Sequence, residues 1–129
     1  MFTIKMRTNM KNELIDITAK VSQLAREHGG SRSACLVFIP HTTAAVTVNE
    51  NADPDVKTDI IQGLNRLVPD HLDFKHREGN SDAHIKASLL GASEIIPLQE
   101  GRLILGTWQG IYLAEFDGPR SRNVLISFF

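Results

Sequence analysis

The residues best suited to chemistry concentrate in one polar stretch, Phe74–Lys86, which has the sequence FKHREGNSDAHIK. It contains His76 and His84, eight positions apart, with Glu78 between them. Imidazoles bind zinc and other first-row transition metals, and a carboxylate beside such an ion is suited to act as a general base. The stretch therefore predicts either a metal site or, if its side chains are only hydrated, a polar loop.

A third histidine, His41, directly follows the apolar run ACLVFIP, which is typical of a buried strand. Functional residues are commonly carried by the segments that follow such elements. If His41 meets His76 and His84, three imidazoles would hold a divalent metal, zinc in the first place, and would leave a position open for water or substrate. Spacing alone does not bring the three together, and the alternative for each is a hydrogen-bonded structural histidine.

Other polar residues complete the set of candidates. Glu50, Glu78 and Lys86 are the candidate catalytic residues: Glu50 lies between two asparagines at a predicted strand end, and Lys86 is suited to contact phosphate. The candidate substrate-binding residues can hydrogen-bond, stack on a ring or pair with phosphate: Asn49, Asn80, Trp108, Gln109 and Arg120. The alternatives are a tryptophan in the core and exposed turn residues.

The hydrophobic pattern predicts the elements that would position these residues. Helices are predicted over Thr18–His28, over DPDVKTDIIQGLNRLV with Asp53 as its cap, and over SDAHIKASLLG with Asn80 or Ser81 as its cap. The predicted strand segments are FTIKMRT, NELIDI, ACLVFI, TTAAVTVN, SEIIPL, RLILGTW, GIYLAEF and NVLISFF. Three short helices among seven or eight mostly antiparallel strands predict a single α+β domain over residues 1–129.

Composition restricts the class of protein. The chain has 129 residues, of which 42% are hydrophobic, and a net charge of -1, so we expect one globular domain without a general affinity for nucleic acid. No apolar run approaches the roughly 18–20 residues that a membrane span needs. The single Cys35 lies in an apolar run and predicts a buried thiol in a reducing compartment. We therefore expect a cytoplasmic protein without nucleic-acid or membrane partners.

Four segments, in order, resemble the YjbQ-type family, whose members are described as secondary thiamine-phosphate synthase-like proteins. They are PHTTAAVTVNENADPDV, HREGNSDAHIKASLLG, SEIIPLQEGRLILGTWQGI and EFDGPRSR, and they cover most of the chain from Pro40 to Arg122. The resemblance implies a compact α+β protomer that assembles as a homotrimer. It also implies a pocket in which His41, His76 and His84 hold a metal ion, and a small phosphorylated metabolite as substrate.

The reaction that the resemblance implies joins a pyrimidine-methyl diphosphate to a thiazole phosphate and expels pyrophosphate. Such a leaving group is usually neutralised by Mg²⁺ together with lysine or arginine, so magnesium is expected if the site handles pyrophosphate. Glu50, Asp53, Lys86 and Arg120 could supply this neutralisation. Three histidines are more typical of an ion that polarises water or a carbonyl. Two alternatives remain open: metal-assisted hydrolysis of a phosphorylated or acylated metabolite with Glu78 as base, and a non-catalytic trimer that binds a metal or metabolite.

Overall fold

The computed structural model describes all residues from Met1 to Phe129 and contains three helices and eight strands. The helices are α1 (Thr18–His28), α2 (Pro54–Leu67) and α3 (Ser81–Leu90). The strands are β1 (Phe2–Arg7), β2 (Glu13–Asp16), β3 (Ala34–Phe38), β4 (Ala44–Glu50), β5 (Ser93–Gln99), β6 (Arg102–Leu103), β7 (Gln109–Glu115) and β8 (Ser121–Phe128). The chain forms one compact α+β domain, which confirms the predicted fold class.

The strands form two antiparallel sheets. The larger has the order β1-β8-β3-β5-β6, and the smaller has the order β2-β7-β4. The predicted strand RLILGTW is shorter than expected, since only Arg102–Leu103 pairs with β5. The strand ends early because the backbone N–H of Gly106 donates to the Gln109 side chain at 2.8 Å, in a turn that leads into β7.

Two hydrophobic clusters lie on opposite faces of the smaller sheet, because successive side chains of a strand point to opposite sides. On one face, Val46 and Leu113 pack against the larger sheet and α1. On the other face, Ala45 and Ala114 pack against Ala83 of α3. These small residues let α3 lie close to β4, so its remaining faces are available for polar side chains.

The helix ends follow local signals. Asp53 caps α2 as predicted, since its carboxylate accepts from the backbone N–H of Asp55 at 2.9 Å and Pro54 occupies the first turn. Asn80 occupies the cap position of α3, but its side chain makes no capping bond. No helix is both long and apolar enough to cross a membrane.

Candidate functional site

His76 and His84 meet at the start of α3. Their ring centroids are 5.4 Å apart, and the rings are nearly perpendicular. His76 belongs to the loop before the helix and His84 to the first turns of α3; between them, Gly79 adopts a φ of 76°, which glycine accommodates without steric cost. Two imidazoles bound to one tetrahedral ion at about 2.0–2.1 Å would have centroids roughly 5 Å apart. The centroid spacing of the pair is therefore close to that of two imidazoles on one ion.

His84 also separates two adjoining cavities, which we call together the histidine trough. One cavity, of about 510 Å³, is lined by His41, Thr42, Ala44, His84, Ala87, Ser88, Gly91 and Ala92. The other, of about 400 Å³, is lined by Phe74, Lys75, His76, Ser81, His84 and Ile85. All three predicted histidines thus border the trough.

A hydrogen bond from the larger sheet holds the side chain of His41 in position. β3 ends at Phe38, and the chain turns away after Ile39 and Pro40, so the backbone N–H of Asn123 on β8 donates instead to Nε2 of His41 at 2.9 Å. Burial lowers the pKa of His41, and the positive charge of Arg122 lowers it further, against an opposing contribution from Glu115. His41 is therefore a neutral imidazole near pH 7, with its Nε2 lone pair engaged.

That hydrogen bond bears on the predicted three-histidine metal site. No group of three or more histidine, cysteine, aspartate or glutamate side chains in this chain is arranged to hold a metal ion. His76 and His84 lie close together, whereas the Nε2 lone pair of His41 already accepts from Asn123. The residues of one chain thus do not assemble the expected set of three ligands.

Lys86, predicted as a catalytic residue that contacts phosphate, lies outside the trough and lines a separate polar cavity. It lies two residues after His84, about 200° around the helix, and is 1% exposed. Its Nζ donates to Asn65 Oδ1 at 2.6 Å and lies 3.6 Å from the Asp82 carboxylate, which connects α3 to α2. Burial lowers the pKa of Lys86, while Asp82 opposes that shift.

Asp82 joins a second lysine to the same network. Its Oδ2 accepts from Lys11 Nζ at 2.9 Å, and Lys11 also lies 3.6 Å from Asp70. Burial alone would raise the pKa of Asp82, but the hydrogen bond and charge of Lys11 hold it below its usual value. The polar cavity beside this network, about 230 Å³, therefore has both lysines paired with carboxylates.

The candidates Asn49, Glu50, Trp108 and Gln109 lie at the far end of the smaller sheet. Glu50 pairs with Gln109 between β4 and β7, and the Asn49 side chain accepts from the Glu50 backbone N–H at 2.7 Å. β4 extends about 20 Å from Ala44, which lines the trough, to Glu50. Within one chain these four residues do not join the histidines.

Trp108 is 62% exposed, so the interpretation of it as a core residue is wrong. It precedes β7 in the turn that the Gly106–Gln109 hydrogen bond closes, and its carbonyl accepts from the Asn51 backbone N–H at 2.9 Å. The turn places its backbone at the edge of the smaller sheet and leaves the indole in solvent.

Asn80 and Arg120 converge on Asp117. The amide of Asn80 donates to Asp117 Oδ2 at 2.8 Å, and Arg120 Nη2 donates to the same oxygen at 2.7 Å. Asn80 Oδ1 is buried and has no partner. Glu78 is exposed in the loop that carries His76. These contacts fix the loops beside α3, and they leave Asn80 Oδ1 and part of the Arg120 guanidinium without a hydrogen-bond partner.

Several contributors to the site could not be identified from the sequence. Asn123 acts on His41 through its backbone N–H, across 82 positions, and no side-chain pattern signals that contact. Phe74 and Ile85 line the cavity beside His76 although both lie in a stretch that was notable only for its polar residues.

Comparisons with known proteins give a consistent result. The family described as "UPF0047 protein YjbQ-like" matches residues 2–129. The UPF0047 protein YugU of Bacillus subtilis is 49% identical over 125 residues, which span 96% of this chain and 95% of that protein. A UPF0047 protein of Methanocaldococcus jannaschii is 48% identical over 126 residues, or 98% of this chain and 91% of that one.

Among solved structures, a YjbQ/UPF0047 protein of Clostridium acetobutylicum is 50% identical with a TM-score of 0.97 and full coverage of both chains. A YbjQ-like protein of unknown function from Sulfolobus solfataricus is 35% identical with a TM-score of 0.94, over 98% of this chain and 94% of that one.

Proposed function

Because this chain belongs to the YjbQ family, we propose that it is an enzyme of small phosphorylated metabolites with thiamine-phosphate synthase-like activity at the histidine trough. The observation that carries the proposal is the position of His84, whose side chain borders two adjoining cavities. A reaction between two small molecules needs two adjacent binding sites that hold the reacting atoms in contact. The trough offers that arrangement.

The two cavities differ in lining, and the difference matches the two proposed substrates. Phe74 and Ile85 border the cavity beside His76, and apolar side chains of this kind suit a flat heteroaromatic ring. The cavity beside His41 is bordered by small residues and by Ser88. In the proposed reaction a C–N bond forms between the thiazole nitrogen and the pyrimidine methylene carbon, while the methylene C–O bond breaks and pyrophosphate leaves with the bonding electrons.

A divalent metal ion is part of this proposal. His76 and His84 would hold it, with zinc favoured by imidazole ligands and magnesium favoured if diphosphate oxygens supply most of the coordination. When bound, such an ion would neutralise charge on the departing diphosphate. Glu78, two residues after His76 in the same loop, would orient a metal-bound histidine or a water molecule.

We also propose that the chain assembles as a homotrimer through the outer face of the larger sheet. Leu36 lies opposite Ile95, and Phe38 lies opposite Leu125, so these four side chains form a continuous apolar surface across three strands. Ile95 is 63% exposed and Phe38 is 38% exposed in the single chain. Contiguous exposed apolar surfaces of this kind are typical of protein interfaces.

The experiment that tests the activity supplies the purified protein with both precursors and measures thiamine phosphate with zinc, with magnesium and after chelation. We expect product from the wild-type protein, little from His84→Ala and a wild-type rate from His71→Ala, because the His71 side chain is 81% exposed and lies outside the trough. Absence of product under every metal condition would refute the synthase activity. Saturable binding of the precursors in that case would favour the non-catalytic alternative.

Metal binding is tested separately by calorimetric titration of zinc into the wild-type protein, His76→Ala, His84→Ala and His71→Ala. We expect His76→Ala and His84→Ala to weaken binding at least tenfold, and His71→Ala to leave it unchanged. Equal zinc affinity in all variants would remove the metal from the proposal without affecting the activity measurement.

A further inference from the structure

We propose that the cavity between His41 and His84 is a phosphate subsite, in which His41 donates a hydrogen bond to the anion through Nδ1–H. The inference rests on the proposed function for the placement of substrate in the trough. It assigns His41 a role different from that of a metal ligand, and it names the chemical group that this side of the trough binds.

The first argument is the tautomer of His41. A backbone N–H can only donate, so Nε2 of His41 must accept the 2.9 Å bond from Asn123 and carries no proton. In the neutral ring the single proton is then on Nδ1. Nδ1 has no hydrogen-bond partner within the chain, so its N–H is free for a ligand.

The same tautomer argues against a metal at His41. A metal ion needs an imidazole lone pair, and in this ring the lone pair of Nε2 is engaged while Nδ1 carries the proton. Moving the proton to Nε2 would free Nδ1 but would set Nε2–H against the N–H of Asn123. His41 therefore offers a hydrogen-bond donor to the trough and no metal-binding atom.

The second argument is the charge around the cavity. None of the eight residues that line it carries a carboxylate, so nothing on its wall repels an anion. The charges that act on His41 are those of Arg122, Glu115 and Arg120, two cations and one anion. Arg122 is paired with Glu115 and Arg120 with Asp117, so these charges leave the surroundings of the cavity close to neutral. A hydrogen-bond donor on a residue that lines a cavity without carboxylates is suited to an anion such as phosphate.

The polar cavity beside Lys11 and Lys86 is the contrasting case. Asp70 and Asp82 both line it, and each lies within 4.0 Å of a lysine nitrogen. Its cations are already neutralised, and its carboxylates would repel an incoming anion. Between the two polar regions beside α3, only the His41 cavity combines a free donor with the absence of acidic groups.

Two substitutions at His41 separate the donor from the structural acceptor. In His41→Asn, the side-chain NH₂ can occupy the position of Nδ1, which keeps a donor for phosphate and loses the acceptor for Asn123. In His41→Gln, the side-chain oxygen can occupy the position of Nε2, which keeps that acceptor and loses the donor. A purely structural histidine would tolerate glutamine better, whereas a phosphate-binding histidine would tolerate asparagine better.

The test titrates inorganic phosphate, and separately pyrophosphate, into metal-free protein and follows binding by phosphorus NMR. We expect His41→Gln to bind about tenfold more weakly than wild type or worse, from the loss of one charge-assisted hydrogen bond, and His41→Asn to stay within about threefold. His71→Gln, an exposed histidine outside the trough, is the matched control and should bind as wild type does. Equal affinity in the glutamine variant and wild type, or weaker binding by asparagine than by glutamine, overturns the inference.

Nitrogen NMR of the histidine rings checks the same claim without any substitution. We expect His41 to show a protonated Nδ1 and an unprotonated Nε2, and to keep that pattern when zinc is added; protonation at Nε2, or a zinc-dependent shift at His41, contradicts the proposal. Neither measurement requires turnover. Phosphate binding through His41 without product would refute only the synthase activity, whereas product formation with unaltered phosphate binding by His41→Gln would refute only the subsite.

Discussion

The guanidinium of Arg122 forms a buried ion pair with the carboxylate of Glu115: Arg122 Nε donates to Glu115 Oε2 at 2.8 Å, and the two side chains are 3% and 0% exposed. The same guanidinium donates to the hydroxyl of Thr43 at 2.8 Å, two residues after His41. Glu115 also accepts from Thr8 and from the backbone N–H groups of Phe116 and Asp117. This network joins β7, β8 and Thr8, the residue after β1, to the segment that carries His41, so it supports the trough from within the protein.

Glu115→Gln should destabilise the fold, because the substitution leaves the buried charge of Arg122 without a compensating carboxylate. Breaking a buried pair in this way costs about 3–5 kcal/mol. Urea denaturation at pH 7 measures the loss of unfolding free energy. Glu27→Gln is the control, since Glu27 is exposed on α1 and should change that free energy by less than about 0.5 kcal/mol.

The effect of Glu115→Gln should also depend on pH. Burial alone would raise the pKa of Glu115, but hydrogen bonds from Arg122, the Asp117 N–H and Thr8 hold it below its usual value. A carboxyl with a lowered folded pKa stabilises the protein above its unfolded pKa, and that contribution disappears as the pH falls through the folded value. The difference in stability between wild type and variant should therefore shrink on acidification below pH 4; a constant difference would contradict the assignment.

Two lysines on opposite sides of α3 should respond in opposite ways to substitution by methionine. Lys86→Met removes the buried donor to Asn65 and should lower the unfolding free energy by about 1–3 kcal/mol, while phosphate affinity in the trough stays unchanged. Lys75→Met removes an exposed cation from the cavity beside His76, which adjoins the proposed phosphate subsite at His84, and the loss of this positive charge should weaken phosphate binding with little effect on stability. Urea denaturation measures the unfolding free energy of both variants, and phosphate titration measures their phosphate affinity. If phosphate affinity falls in Lys86→Met and not in Lys75→Met, Lys86 contributes to phosphate binding and the prediction is wrong.

If the trimer forms through the outer face of the larger sheet, assembly should depend on the side chain of Ile95. Ile95→Asp places a charge in the centre of the apolar surface that Leu36, Phe38 and Leu125 complete, and an unpaired buried charge is strongly unfavourable at an interface. Sedimentation velocity should show a trimer for wild type and a monomer for the variant. Leu67→Asp, at an exposed leucine on α2, is the control and should remain trimeric. A monomeric wild-type protein would refute the assembly itself.

Sequence reasoning succeeded where the determining contacts are local. The three helices end at or within about one residue of the predicted positions because Asp53-Pro54, Gly29 and Gly91 are local start and stop signals. The proximity of His76 and His84 has a similarly local origin, since only the turn at Gly79 and Asn80 separates the loop from the helix.

Reasoning from sequence was insufficient where the outcome depends on distant packing. The helical position of Lys86 was evident, but its burial depends on Asn65 of α2 and on Asp82, which is held in turn by Lys11. The tautomer of His41 depends on Asn123, whose position relative to β3 is determined only when the larger sheet forms. Trp108 is exposed because a hydrogen-bonded turn interrupts the apolar run that precedes it.

Glu50 and Trp108 lie far from the histidines of the same chain. Since β4 spans about 20 Å between the trough and Glu50, neither residue reaches a ligand held by His41 of the same chain. Glu50→Gln and Trp108→Ala should therefore leave phosphate affinity within about twofold of wild type when the protein is measured as a monomer in the Ile95→Asp background. If either substitution weakens binding only in the assembled protein, the far end of β4 in a second copy must contribute to the trough. Weaker binding in the monomer as well would contradict the separation. Both states are measured by the same phosphorus NMR titration, with and without the Ile95→Asp substitution.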